Sequence, residues 1–140
     1  MNNNSANDFY RSFFAVLAGA FSAIAAGFII KLLVERFLHF DPLSELSASG
    51  NNSNIFIILF VGGWLFISSL AGGIVCSGIA GKNEMSHILI GSLVVLALYF
   101  IIGGTELLKE KSLASWAVLL AIPVGYSVGE WLGGRKRQEE

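Results

Sequence analysis

The sequence predicts an all-α integral membrane protein: a four-transmembrane-helix up-down bundle in which residues 1–140 form a single membrane domain. The first observation is composition, because 54% of the residues are hydrophobic and only 14% are charged, against about 25% charged in an ordinary soluble domain. A short soluble chain has a large surface to cover with polar groups, and this chain lacks the charges to do so. The second observation is that its hydrophobic residues gather in four long blocks.

Each block is long enough for a membrane helix, because about 17 to 25 apolar residues cross a hydrocarbon layer of about 30 Å. The predicted spans are residues 10–31, 55–80, 87–104 and 113–133. Residues 34–54 are predicted to form the connecting segment after span one. This segment contains an interfacial helix that is apolar on one face, where Phe37 and Phe40 lie, and polar on the other.

The later connections are short, which is the third observation. Short connections make sequential helices antiparallel neighbours, as in an up-down bundle. The basic residues near the span ends give the orientation, and the clearest group is Arg135-Lys136-Arg137, directly after span four. We therefore expect both termini to be cytoplasmic.

A faint internal repeat relates the two halves of the chain. Gly19 followed by Phe28-Ile29-Ile30 recurs as Gly91 followed by Phe100-Ile101-Ile102, and the glycines of span two recur in span four at another constant offset. A duplication would make the bundle two tandem helical hairpins related by an axis along the membrane normal. Chance similarity between glycine-rich apolar helices is the alternative.

Stripes of small residues are the clearest pattern in the sequence. A spacing of four keeps residues on one helix face, and small side chains let membrane helices approach closely. The stripes are Ala15, Gly19, Ala23 and Gly27 in span one; Ser69, Gly73, Ser77 and Gly81 in span two; and Ala121, Gly125, Gly129 and Gly133 in span four. They predict either tight packing within one bundle or contact with another subunit. Because four helices cannot easily bury every stripe, we expect some intermolecular contact.

The run from Gly72-Gly73 to the Ile79-Ala80-Gly81 exit, followed by Ser86-His87 and Gly91, resembles a pattern in small uncharacterised bacterial four-span membrane proteins. In these proteins a glycine pair, an Ile-Ala-Gly exit, a short polar loop and a histidine recur. The resemblance covers residues 72–91 and implies a bacterial cytoplasmic (inner) membrane location. It brings no activity with it.

Glu130 and His87 are the candidate polar site, because ionisable residues inside membrane spans are costly and frequently functional. In the predicted topology both lie on the cytoplasmic side. Glu130 either binds a proton or cation there, or reaches the interface and pairs with Arg135 or Lys82. Two ligands do not make a metal site, even with Cys76 nearby, so no metal is predicted.

Signatures of catalysis and of cofactor binding are absent from the sequence, which has no Walker loop, His-Glu-x-x-His, Gly-x-Ser-x-Gly or Cys-x-x-Cys motif. The sequence therefore predicts no enzyme and no cofactor. A net charge of −1 gives no reason to expect a nucleic-acid partner. The expected partners are the lipid bilayer and either a second copy of the chain, in a homo-oligomer, or another membrane protein.

Two functional hypotheses follow from these patterns. The preferred one is a non-catalytic multi-pass membrane protein that self-associates, or acts as a subunit of a membrane complex, through its small-residue faces. The alternative is a small oligomeric channel or transporter that uses Glu130 on the cytoplasmic side.

Overall fold

The computed structural model describes residues 3–39, 41, 44, 55–80, 85–101 and 113–135. Within these ranges the chain is entirely helical, with no strand, so the all-α prediction is confirmed. The helices are α1 (Asn3–Leu38), α2 (Ile55–Ala80), α3 (Met85–Tyr99) and α4 (Leu113–Arg135). Among the described residues, two segments are long and apolar enough to cross a membrane, Asn7–Leu38 and Ile55–Ala80, and Ser86–Tyr99 is a shorter apolar helix.

α1 is longer than the span expected at residues 10–31, because it continues through the first part of the predicted connecting segment. Lys31 and Glu35, one turn apart near its end, form an ion pair of 3.4 Å. The helix stops at His39, whose φ of +50° is the left-handed conformation typical of a residue just past a helix C-terminus. Beyond it only Asp41 and Ser44 belong to the described residues, so the rest of the interfacial segment lies outside them.

α1 and α2 pack antiparallel along most of their length. Near one end of the pair, Arg11 Nε donates a hydrogen bond of 2.8 Å to the Ile79 carbonyl oxygen. Near the other end, Trp64 Nε1 donates one of 2.9 Å to the Gly27 carbonyl oxygen. Since α1 residue numbers rise between these contacts while α2 numbers fall, the helices run in opposite directions.

α2 and α4 are parallel neighbours and form the most extensive helix pair in the described structure. A Cβ added to Gly125 would lie 2.5 Å from the Phe66 carbonyl oxygen, and Gly129 faces the Leu70 carbonyl one turn further on in the same way. The two backbones therefore touch, which only glycine permits at these positions.

α3 closes the bundle against α1 and α4. Gly91 lies against the Tyr126 ring of α4, and Tyr99 reaches Gly27 of α1. α2 and α3 meet only slightly, although their short connection led us to expect them side by side. The order around the bundle is α1, α2, α4, α3, because the glycine contacts between α2 and α4 take the place that a sequential arrangement would give to α3.

Candidate functional site

The α1 stripe faces the interior of its own chain. A Cβ added to Gly19 would lie 2.8 Å from both the Gly72 carbonyl oxygen and Cys76 Cβ, and one added to Gly27 would lie 3.5 Å from Ser68 Cβ. The four stripe positions, all buried, are Ala15, Gly19, Ala23 and Gly27.

The α2 and α4 stripes face each other. A Cβ on Gly73 would lie 2.7 Å from the Glu130 backbone nitrogen, and Gly133 faces the Ser77 side chain and the Ile74 carbonyl oxygen. Gly125 and Gly129 contact α2 as described above. Gly81, the remaining predicted member, lies outside the described residues.

The described stripe positions thus pack within one chain, which is the first of the two predicted arrangements, and contact with another subunit stays a prediction. The reason lies in α2, which carries two adjacent rows of small residues. Ser68, Gly72 and Cys76 face α1, while Ser69, Gly73 and Ser77 face α4.

Tyr126 occupies the centre of the bundle. Its side chain is 0% exposed, and its ring extends from α4 between glycines on the other three helices. A Cβ on Gly91 would lie 2.5 Å from its hydroxyl, one on Gly19 also 2.5 Å from it, and one on Gly72 3.2 Å from the ring. We call these three residues the glycine socket. The Cys76 thiol lies beside the hydroxyl, yet no described side chain reaches the hydroxyl with hydrogen-bond geometry.

Glu130 lies one turn after Tyr126 on the same face of α4. Its side chain is 0% exposed, and neither carboxyl oxygen has a hydrogen-bond partner among the described residues. The carboxyl group is close enough to Tyr126 and Cys76 to act on both electrostatically. An ionised carboxylate is costly to bury without a partner.

His87 is at the same end of the bundle as Glu130. Gly91 contacts the outer end of the Tyr126 ring, and His87 lies one turn before Gly91 on α3, while Glu130 lies one turn after Tyr126 on α4. His87 is 5% exposed, and its Nδ1 has no partner within the described ranges. No hydrogen bond joins it to Glu130. The predicted pairs of Glu130 with Arg135 or Lys82 involve side chains outside the described set.

A second set of polar side chains, which the sequence did not single out, lies deeper in the bundle. The hydroxyls of Ser68 and Tyr99 are 3.1 Å apart, at the level where Trp64 bonds the Gly27 carbonyl. Between this level and Tyr126 lie the fully buried Ala23 and Val95, together with the buried serines at 69 and 92. The Ser68–Tyr99 pair is therefore separated from Tyr126 by tightly packed small and apolar side chains.

Metal binding finds no support in this arrangement. Among the described residues, no three histidine, cysteine, aspartate or glutamate side chains are grouped so that they could hold a metal ion. This end of the bundle interior nevertheless holds four buried ionisable side chains, no three of them close enough together to hold a metal ion, which we call the inner cluster: Glu130, His87, Tyr126 and Cys76. Groups of this kind exchange protons readily when water reaches them.

Comparison of the chain with known protein families, with curated protein sequences and with solved protein structures gives no match.

Proposed function

We propose that the chain is a four-span protein of a bacterial cytoplasmic membrane, with both termini in the cytoplasm, that transports a proton or small cation bound at Glu130. The buried carboxyl group, without a hydrogen-bond partner among the described residues, is the observation that carries the proposal. In membrane spans such groups typically belong to ion or proton pathways.

Membrane insertion is supported by how the side chains are distributed. Large apolar residues cover the outside of the helices, with Phe21 67% and Phe56 75% exposed, while the serines at 68, 69 and 77 are buried. A soluble protein rarely exposes so much contiguous apolar surface. In lipid the same arrangement is favourable, because apolar side chains meet acyl chains and small polar ones meet each other.

The packing of the small-residue stripes within the chain favours transport over a purely structural role. A subunit that associated through these stripes would have to present at least one of them on its surface. The described positions instead pack against helices of the same chain, while Glu130 is a buried carboxyl group with no partner among the described residues. We propose a non-catalytic protein, and a homo-oligomer, because a single four-helix bundle rarely encloses a path alone.

The complete burial of Ala23 and Val95 fits a transporter in a closed conformation better than an open channel. A transporter needs its binding group to reach one side at a time. Glu130 lies on one side of these two residues, and the Ser68–Tyr99 pair lies on the other.

The first prediction concerns ion flux through purified protein in liposomes. Glu130→Gln keeps the size of the side chain and removes its charge and its exchangeable acid. We expect this change to lower cation flux by about tenfold or more, the scale of a lost proton-transfer group. The matched control is Glu35→Gln, at the exposed end of α1, which should stay within about twofold because surface pairs contribute little. Equal flux in wild type and Glu130→Gln would contradict the proposal.

A further inference from the structure

The side chains around Glu130 decide which cation it can carry. Alkaline-earth ions take about six to eight oxygen ligands, and Mg²⁺ requires near-octahedral coordination. The described side chains of the inner cluster offer a single carboxyl group, and the α2 carbonyls of Leu70 and Ile74 are covered by Gly129 and Gly133. A proton needs only one acceptor oxygen and a neighbouring donor, and this cluster supplies both.

The proton-exchanging groups also lie in sequence along the bundle axis. His87 is the outermost, at the start of α3, and retains slight exposure. Glu130 follows at the same end of the bundle on α4, and helical side chains point back toward the helix N-terminus, which directs its carboxyl group toward Tyr126. The Tyr126 hydroxyl is the innermost of the three and lies in the glycine socket with open hydrogen-bonding capacity.

Few other titratable groups compete with these three. α1 has none between Arg11 and Lys31, and the Arg11 side chain bonds the Ile79 carbonyl. α2 contributes only Cys76, which lies beside Tyr126. α3 contributes Tyr99 besides His87, and that phenol bonds Ser68 on the far side of Ala23 and Val95. On α4 the remaining ionisable residue is Arg135, whose side chain lies outside the described ones.

We propose that the transported cation is the proton, and that it passes from the His87 end to Glu130 and then to the Tyr126 hydroxyl. This inference rests on the proposed transport function. At Glu130 an O–H bond forms as the bond in the donor, His87 or water, breaks. As Tyr126 accepts that proton on its oxygen, its own O–H bond breaks and its proton passes to water that enters when the bundle opens to the opposite side. The phenol thus returns to its neutral form, and no oxidant or reductant is needed.

The test uses Tyr126→Phe, which removes the hydroxyl oxygen and keeps the ring that fills the glycine socket. Full-length protein is placed in liposomes with a trapped pH-sensitive dye, and a potassium gradient with valinomycin supplies the driving force. We expect Glu130→Gln to lower proton uptake by about tenfold or more and Tyr126→Phe to lower it by about fivefold, the scale of one lost hydrogen-bonding step. Glu35→Gln should leave it unchanged, and thermal unfolding in detergent verifies that each variant is folded.

Parallel flux measurements with sodium and potassium distinguish failure of the proton inference from failure of the transport proposal. Sodium or potassium flux that depends on Glu130, without proton flux, would overturn the proton inference and leave the transport function standing. An absence of flux for all three cations would overturn both.

Labelling of Glu130 by a hydrophobic carbodiimide, which reacts with protonated carboxyl groups, is an independent readout by mass spectrometry. The proton inference predicts labelling that sodium and potassium do not protect against. Protection by either ion would overturn it.

Discussion

At the scale of single residues, His39 ends α1 in a conformation that costs free energy. Its φ is +50°, and the left-handed region costs a residue with a Cβ about 1–2 kcal/mol, whereas glycine adopts it freely. We expect His39→Gly to raise the free energy of unfolding by about 1 kcal/mol, because part of the gain is offset by the flexibility of glycine in the unfolded chain. Thermal unfolding in detergent measures the effect.

His39→Ala is the control for this prediction, because it removes the imidazole and keeps the backbone strain. It should unfold at or below the wild-type midpoint. A glycine variant no more stable than the alanine variant would show that the conformation of residue 39 does not limit stability.

The sequence predicted part of the candidate site at this scale. Glu130 and His87 stand out in the sequence because they interrupt apolar runs, and charge in a span is conspicuous. Tyr126 is less conspicuous, since an aromatic residue in a span is ordinary. Its spacing of four from Glu130 was an available signal that both lie on one face. The Ser68–Tyr99 pair could not be predicted, because it joins helices whose relative register no sequence spacing specifies.

At the scale of helices, the contact between α2 and α4 depends on backbones that touch. At Gly129 an added methyl group would meet the Leu70 carbonyl and its neighbouring backbone atoms, whereas at Gly63, on the exposed face of α2, nothing lies within 4 Å. We expect Gly129→Ala to lower the free energy of unfolding by about 1–3 kcal/mol, the usual cost of overpacking. Thermal or denaturant unfolding in detergent measures it.

Gly63→Ala is the matched control on the partner helix. It should be neutral or stabilise by up to about 1 kcal/mol, because alanine favours helix and has room there. Similar losses of unfolding free energy in both variants would mean that the glycines act through helix propensity rather than through contact between α2 and α4.

Helix neighbours were harder to predict than helix positions. Long uncharged blocks mark where helices form, and the four blocks correspond to α1 through α4. The stripe spacing shows which residues share a face, but not which helix that face meets. Short connections favoured α2 beside α3, yet α2 carries two adjacent rows of small residues, and such a helix can pack closely on two partners. α1 and α4 take those places.

At the scale of the whole molecule, four spans require both termini on one side of the membrane. Cys76 is the one native cysteine, so Cys76→Ala gives a cysteine-free background for single substitutions at Asn4, Ser49 and Gln138. In intact cells we expect a membrane-impermeant maleimide to label the Ser49→Cys variant. The Asn4→Cys and Gln138→Cys variants should react only after permeabilisation.

Labelling at one terminus but not the other in intact cells would mean an odd number of spans. It would contradict the four-span proposal, and it would also place Glu130 and His87 on a different side from the one proposed. Alkaline extraction of the membranes, in which an integral protein stays with the lipid, serves as the accompanying control.

The pairing of α2 with α4 across the intervening α3 has a consequence for biosynthesis. The row of α2 that faces α4 contains Ser69, Gly73 and Ser77. It emerges from the ribosome about 50 residues ahead of the α4 segment against which it packs. At about 5–20 residues per second, an α2 helix inserted as we propose would spend roughly 3 to 10 s with that row facing lipid or the insertion machinery. Chains that terminate before α4 would therefore expose an unpaired small-residue face.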